Sequence, residues 1–211
     1  MCSDQNAGLF LRSFAVLILA GLSIVSPSFG RDCETISGNR ISPCGFENLA
    51  EVAAWSETGG TLAYAAGLGE TGDGAIGTAE DFGGLWAFST KSPCFEAVPG
   101  QEFALGYWVK HLSGAVPEDC SAGWQQYSDL ACSAPSGGAT GRDEFVPGAN
   151  YIEVTGSHLV QSGTQTMSLT IDCRGPVGPF EVLVDNAYAR ESIFADGFES
   201  GDTSDWSVAM P

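Results

Sequence analysis

The chain has 211 residues, 44% of them hydrophobic, and carries 26 acidic against 8 basic side chains for a formal charge of −18. Such a surface repels nucleic-acid phosphates and anionic bilayers, while it draws divalent cations. The hydrophobic share excludes a disordered acidic tail, and residues 31–190 suffice for one domain with a core of its own.

In chain order, residues 1–30 run from a polar start with one cation, Arg12, into the apolar stretch from Phe14 to Val25, then to Ser28 and Gly30 at the positions a signal peptidase reads. A cleaved secretory signal is expected, and so an exported protein. The apolar run is shorter than the roughly 20 residues a bilayer-spanning helix needs, so no membrane insertion is expected after cleavage. Residues 31–190 form the expected domain, and 191–211 an acidic C-terminal tail.

Within the domain, helical periodicity is confined to residues 48–55, enough for a turn or two. The 28 glycines and 10 prolines punctuate short β-type runs, the pattern of an all-β sandwich or barrel. Residues 59–80 are Gly-rich and read as irregular; 85–89 reads as a strand. After the turn Val98-Pro99-Gly100, residues 101–110 alternate strictly. This assigns Phe103, Leu105, Tyr107 and Val109 to the core, and Ala104, Gly106, Trp108 and Lys110 to the opposite face. Residues 117–121 and 134–142 read as loops; 124–130, 150–155, 166–173 and 180–188 read as strands. The tail repeats the domain's opening motif, since Gly45-Phe46-Glu47 before Trp55-Ser56 is echoed by Gly197-Phe198-Glu199 before Trp206-Ser207.

Loss of Cys2 with the signal leaves six cysteines: Cys33, Cys44, Cys94, Cys120, Cys132 and Cys173. An even number in an exported chain reads as a disulfide framework, for which fifteen connectivities exist. The spacing does not suit zinc, because no Cys-x-x-Cys occurs and His111 and His158 lie away from the cysteines. Short local loops favour Cys33–Cys44 and Cys120–Cys132, which leaves Cys94–Cys173.

The order Gly45-Phe46-Glu47, Trp55, Cys94 before a Pro-Gly turn, the aromatic strand with Phe103, Tyr107 and Trp108, and Val184-Asp185-Asn186 closing the last strand resembles a known family. It is similar to the galactose-binding-like jelly rolls, notably carbohydrate-binding modules of families four, nine and twenty-two. The resemblance covers roughly residues 40–190, and it implies a disulfide-stapled jelly-roll β-sandwich. It also implies a structural calcium ion shared by Glu47 and Asp185 with backbone carbonyls. Asp185-Asn186 stands where the family usually has Asp-Asp. The other reading of the two carboxylates is a pair of surface acids beside a sheet edge. The tail, with Asp196-Gly197-Phe198-Glu199-Ser200-Gly201-Asp202, resembles endings found on many exported bacterial proteins.

A carbohydrate or surface glycan is the partner this resemblance implies. A pyranose has an apolar face and a hydroxyl rim, so it calls for an aromatic platform with a few polar groups. The candidates are Trp108, then Trp124, with Gln126 as a hydrogen-bonding partner; Trp55, Trp86 and Tyr188 read as packing residues. Trp108 has a second reading as minor core, with residues 59–80 or 134–142 folded over it. No nucleophile elbow, His-Glu-x-x-His or P-loop occurs. The adjacent acids Glu80-Asp81 and Glu118-Asp119 point to opposite faces of a strand, so neither makes a glycosidase couple by itself. The expectation is an exported, non-catalytic binding module. A structural or adhesive protein without a sugar site is the second reading, and a small glycoside hydrolase the third.

Overall fold

The computed structural model describes residues 33–139 and 145–192. The expected signal segment and the tail beyond Ser192, with its repeated Gly-Phe-Glu, lie outside the described residues.

Among the described residues, a 3-10 turn at Cys33–Thr35 leads to one short helix, α1 (Leu49–Ala53). Asn48 starts that helix because its side chain accepts from the backbone N–H groups of Ala50 and Glu51 at 3.0 and 3.1 Å. The strands follow: β1 (Ser56–Gly59), β2 (Thr61–Ala65), β3 (Gly74–Thr78), β4 (Glu80–Asp81), β5 (Trp86–Lys91), β6 (Phe95–Glu96), β7 (Glu102–Gly114), β8 (Asp119–Tyr127), β9 (Pro135–Ala139), β10 (Ile152–Leu159), β11 (Thr166–Gly175) and β12 (Phe180–Glu191). They form two antiparallel sheets. One runs β1-β5-β11-β8-β9, with β4 beside β5 and β6 beside β11; the other runs β10-β7-β12-β3-β2. The protein is an all-β, disulfide-stapled jelly-roll sandwich.

The core lies between the sheets, and period-2 alternation builds it. Phe103, Leu105, Tyr107 and Val109 of β7 are all buried, opposite Met167, Leu169, Ile171 and Cys173 of β11. On β12 the inward set is Phe180, Val182 and Val184, then Ala187 and Ala189. The change of parity comes from a bulge, because Asp185 pairs with Trp108 but Tyr188 pairs with Gly106, two residues back on β7. Asn186 absorbs the extra residue at φ 49°, a left-handed conformation that Asn tolerates better than most side chains.

Three loop assignments are corrected. Residues 59–80 contain β2 and β3, 134–142 contains β9, and β8 begins at Asp119 inside 117–121. Strand β3 (Gly-Ala-Ile-Gly-Thr) has few large side chains because Phe88 of the facing sheet packs directly on its backbone; a Cβ on Gly77 would fall 2.4 Å from that ring. Strand β8 also stops at Tyr127, short of Leu130.

Of the disulfides, Cys33–Cys44 is as expected, but the other two are Cys94–Cys132 and Cys120–Cys173. Cys120 and Cys173 are direct cross-strand partners on β8 and β11, with Cα atoms 4.0 Å apart. The local pair Cys120–Cys132 fails because β8 lies between its members. Residues 120 to 127 alone extend over roughly 23 Å of strand.

Candidate functional site

The outer face of the five-stranded sheet carries the features that could meet a ligand. Register places Glu153 of β10, Trp108 of β7 and Asp185 of β12 in one row across three strands. The next row is Thr155, Gly106 and Tyr188, and Arg190 pairs with Ala104 beyond it. Tyr188 lies over Gly106, where any Cβ would come within 2.6 Å of the ring. Glycine is therefore required there by the approach of that ring. The Tyr188 hydroxyl donates to Glu153 Oε1 at 2.9 Å, which fixes the ring across the sheet.

Trp108 is partly exposed, with its ring centroid 5.9 Å from that of Tyr188. The two rings and the segment 35–40 enclose an open cleft of about 670 Å³ that also takes in Glu153, Arg40, Arg190 and Glu191. That volume is within the range of small-ligand sites. Arg40 is paired with Glu191 at 3.5 Å, and Gln101 donates to the same Glu191 carboxylate at 3.0 Å. Arg190 stands with its guanidinium carbon 5.7 Å from the Tyr188 ring centroid, a cation–π contact.

Trp124 and Gln126 belong elsewhere. Both are on β8, in the other sheet, and Gln126 pairs with the inward Met167. Gln126 is 1% exposed; its Oε1 accepts from the Thr164 hydroxyl and its amide meets His158 Nε2. Trp124 stacks on the His158 imidazole with centroids 3.5 Å apart. The sequence-based grouping of Trp108, Trp124 and Gln126 in one site is therefore corrected. Gln126 has spent its hydrogen bonds in an interior polar cluster, a usual requirement for a buried amide. Burial pushes the His158 imidazole down to about 4.

Glu47 and Asp185 both reach the 69–73 loop. Asp185 Oδ2 accepts from the backbone N–H groups of Glu70 and Thr71 at 2.7 and 3.2 Å, and Glu47 Oε2 accepts from Asp73 at 3.3 Å. Gly72, at φ 105°, turns this loop past the Glu47 carboxylate; a Cβ there would stand 3.0 Å from Oε2. Asp185 has no exposed surface, and burial together with the negative charge of Glu47 pushes its carboxyl up to about 7, although three backbone donors oppose the shift. Backbone strain sits beside both acids, as Phe46 and Asn186 have φ of 57° and 49°. Among the described residues, no group of three or more acid, His or Cys side chains is placed to hold a metal. A calcium ion at this corner would rest on two carboxylates, with carbonyl and water oxygens for the remainder of its six to eight ligands.

Sequence reading did not identify Arg40, Glu153 and Arg190 as cleft residues. One signal was present: past the bulge, Tyr188 and Arg190 share a face by alternation. The contribution of 35–40 had none, since it arrives through the Cys33–Cys44 disulfide and the contact of Arg40 N with Ala189 O at 2.8 Å.

No protein-family model and no curated protein matches the sequence. Solved structures do. The CBM22-1 xylan-binding domain of Paenibacillus barcinonensis Xyn10C superposes with a TM-score of 0.52 at 13% identity, over 70% of this chain and 91% of that one. The CBM22-1–GH10 modules of Clostridium thermocellum xylanase 10B, complexed with xylohexaose, give 0.54 at 14% identity, over 71% of this chain and 28% of that one. The enzymatically active domain of bacteriophage CBA120 tailspike protein 4 gives 0.52 at 16% identity, over 74% of this chain but 22% of that chain. The chain thus spans about a fifth of the tailspike domain. Identities this low speak to architecture alone, and the architecture is the β-sandwich of carbohydrate-binding modules.

Proposed function

We propose that the protein is an exported, non-catalytic carbohydrate-binding module that holds a glycan on the outer face of its five-stranded sheet. The observation that carries this reading is the partly exposed Trp108 ring beside Tyr188 in an open cleft. An apolar ring face next to hydrogen-bonding side chains matches the two characters of a pyranose. The six cysteines paired in three disulfides support an oxidising compartment. No helix among the described residues is long and apolar enough to cross a membrane. The likeness to xylan-binding modules supports a polysaccharide ligand.

Calcium belongs to the same proposal. Glu47 and Asp185 bring two carboxylates from opposite ends of the domain to the 69–73 loop, and a hard divalent cation would offset the cost of burying Asp185. In this reading the ion is structural and clips that loop beside the platform.

A glycan array with the purified domain, followed by depletion on the hits, tests the function. Retention by the parent and loss of retention by a folded Trp108→Ala variant is the expected result. A protein that binds no glycan leaves the structural or adhesive reading, and release of reducing sugar leaves the hydrolase.

A further inference from the structure

We infer that the cleft takes an anionic oligosaccharide, with one sugar ring on Trp108 and a carboxylate of a later sugar on Arg190; this rests on the proposed glycan site. The cleft holds four charged side chains, and three of them are already engaged. Arg40 and Glu191 face each other at 3.5 Å, and Glu153 accepts the Tyr188 hydroxyl at 2.9 Å. Arg190 is exposed, and among the described residues its guanidinium makes neither an ion pair nor a hydrogen bond. In a chain with 26 acidic side chains and 8 basic ones, an arginine left without a carboxylate inside an aromatic cleft is a specific feature.

The fork also has a packing partner. The Tyr188 ring lies under the guanidinium at 5.7 Å, and Tyr188 is itself held by Gly106 and Glu153. A planar guanidinium held in this way presents parallel N–H donors that match the two oxygens of a carboxylate, which a lysine could not reproduce. The two residues start from separate rows of the sheet. Trp108 and Ala104, the register partner of Arg190, are four residues apart on β7, roughly 13 Å along the strand. The side chains converge from there, since the Tyr188 ring lies 5.9 Å from the indole and 5.7 Å from the Arg190 guanidinium, and a short chain of uronic acids with one ring on Trp108 brings a carboxylate within reach of the fork. The overall negative charge opposes approach at long range. That repulsion is screened beyond about 8 Å at physiological ionic strength, while a contact pair survives.

The test compares tetragalacturonic acid with its fully methyl-esterified form, which has the same rings without the charge. Calorimetric titration of both into the parent, Arg190→Gln, Arg190→Lys and Trp108→Ala, at 0.15 M salt, separates the contributions. The parent is expected to bind the acid at least about tenfold tighter than the ester, the scale of one charge-assisted hydrogen-bonded pair. Arg190→Gln should remove that preference and keep ester binding, Arg190→Lys should restore only part of it, and Trp108→Ala should lose both ligands. Equal binding of acid and ester by the parent, unchanged in Arg190→Gln, overturns the anionic preference and leaves the Trp108 platform standing. A folded parent that binds neither tetramer also overturns the inference, and the glycan array then decides the broader reading by itself.

Discussion

Trp108 and Asp185 are register partners on β7 and β12, yet the indole is partly open to the cleft while the carboxylate has no exposed surface. The 69–73 loop packs on Asp185, whose carboxylate accepts from Glu70 and Thr71, and it does not line the cleft. Of the two segments that the second reading of Trp108 folded over its ring, 59–80 thus contributes its 69–73 loop to the acidic corner, and the indole is partly exposed. Replacing Trp108 by Ala should change unfolding free energy by about 1 kcal/mol or less, against the roughly 3–5 kcal/mol of a core tryptophan. Urea denaturation of the two proteins measures it, and a loss at the upper value would make Trp108 a packing residue.

Calcium should raise the melting temperature of the parent, and a chelator should lower it, because an ion bound only by the folded state stabilises by mass action. The Glu47→Gln, Asp185→Asn double variant should melt at one temperature with or without calcium. The ligands must be deprotonated to coordinate. With the Asp185 carboxyl raised to about 7, calcium affinity should weaken as pH falls through that value. Since Asp185 neighbours Trp108, chelation should also weaken glycan binding. A calcium-independent melting curve for the parent removes the metal from the account.

Gly106 and Tyr188 form the next contact to test. A Gly106→Val side chain would occupy the space of the Tyr188 ring and drive it off the sheet. Overpacking of this kind typically costs about 1–3 kcal/mol. Glycan affinity should fall with it, as Tyr188 supports both Trp108 and Arg190. A Gly106→Val protein with parental stability and parental binding would show that the ring's position is immaterial.

The interior cluster of Trp124, Gln126, His158 and Thr164 gives a pH dependence of opposite origin. The Gln126 Oε1 is taken by Thr164, so its amide N–H donates to His158 Nε2 and that nitrogen is unprotonated. The folded pKa, about 4, lies below the ordinary histidine value of 6.5. The unfolded chain therefore binds the proton first, and stability from this group is present above pH 6.5 and is lost as pH falls towards 4. Denaturation midpoints across that window should decline in the parent and decline less in His158→Phe. Parallel curves for the two would place the acid sensitivity in other groups.

Non-reducing peptide mapping of the purified protein should recover Cys33–Cys44, Cys94–Cys132 and Cys120–Cys173. Removal of the buried Cys120–Cys173 bridge by double Ala substitution should cost about 2–5 kcal/mol, the usual range for a native disulfide in a small secreted domain. A mapped Cys120–Cys132 peptide would contradict the register of β8 with β11.

The sequence alone determined the sheet class, the inward faces of β7 and β11, the short helix and the opening of Trp108 away from the core. Each of these follows from local rules: alternation of side chains along a strand, Gly and Pro punctuation, and the Asn48 cap. It also named Glu47 and Asp185 as a pair, through a resemblance that carries fold. Only the tertiary structure decided the disulfide partners, the strands within 59–80, the interior place of Gln126 and the company Trp108 keeps. Pairing Cys120 with Cys173 depends on a register between strands some fifty residues apart in sequence, which spacing does not encode. The small residues of β3 form a strand because β12 offers them a ladder and Phe88 needs the space above Gly77, and β2 pairs in turn with β3. The cleft depends on one bulged residue in β12, which turns Tyr188 and Arg190 outward beside Trp108. A shift of one residue changes every face beyond it, and that shift is set by contacts from the opposite end of the chain.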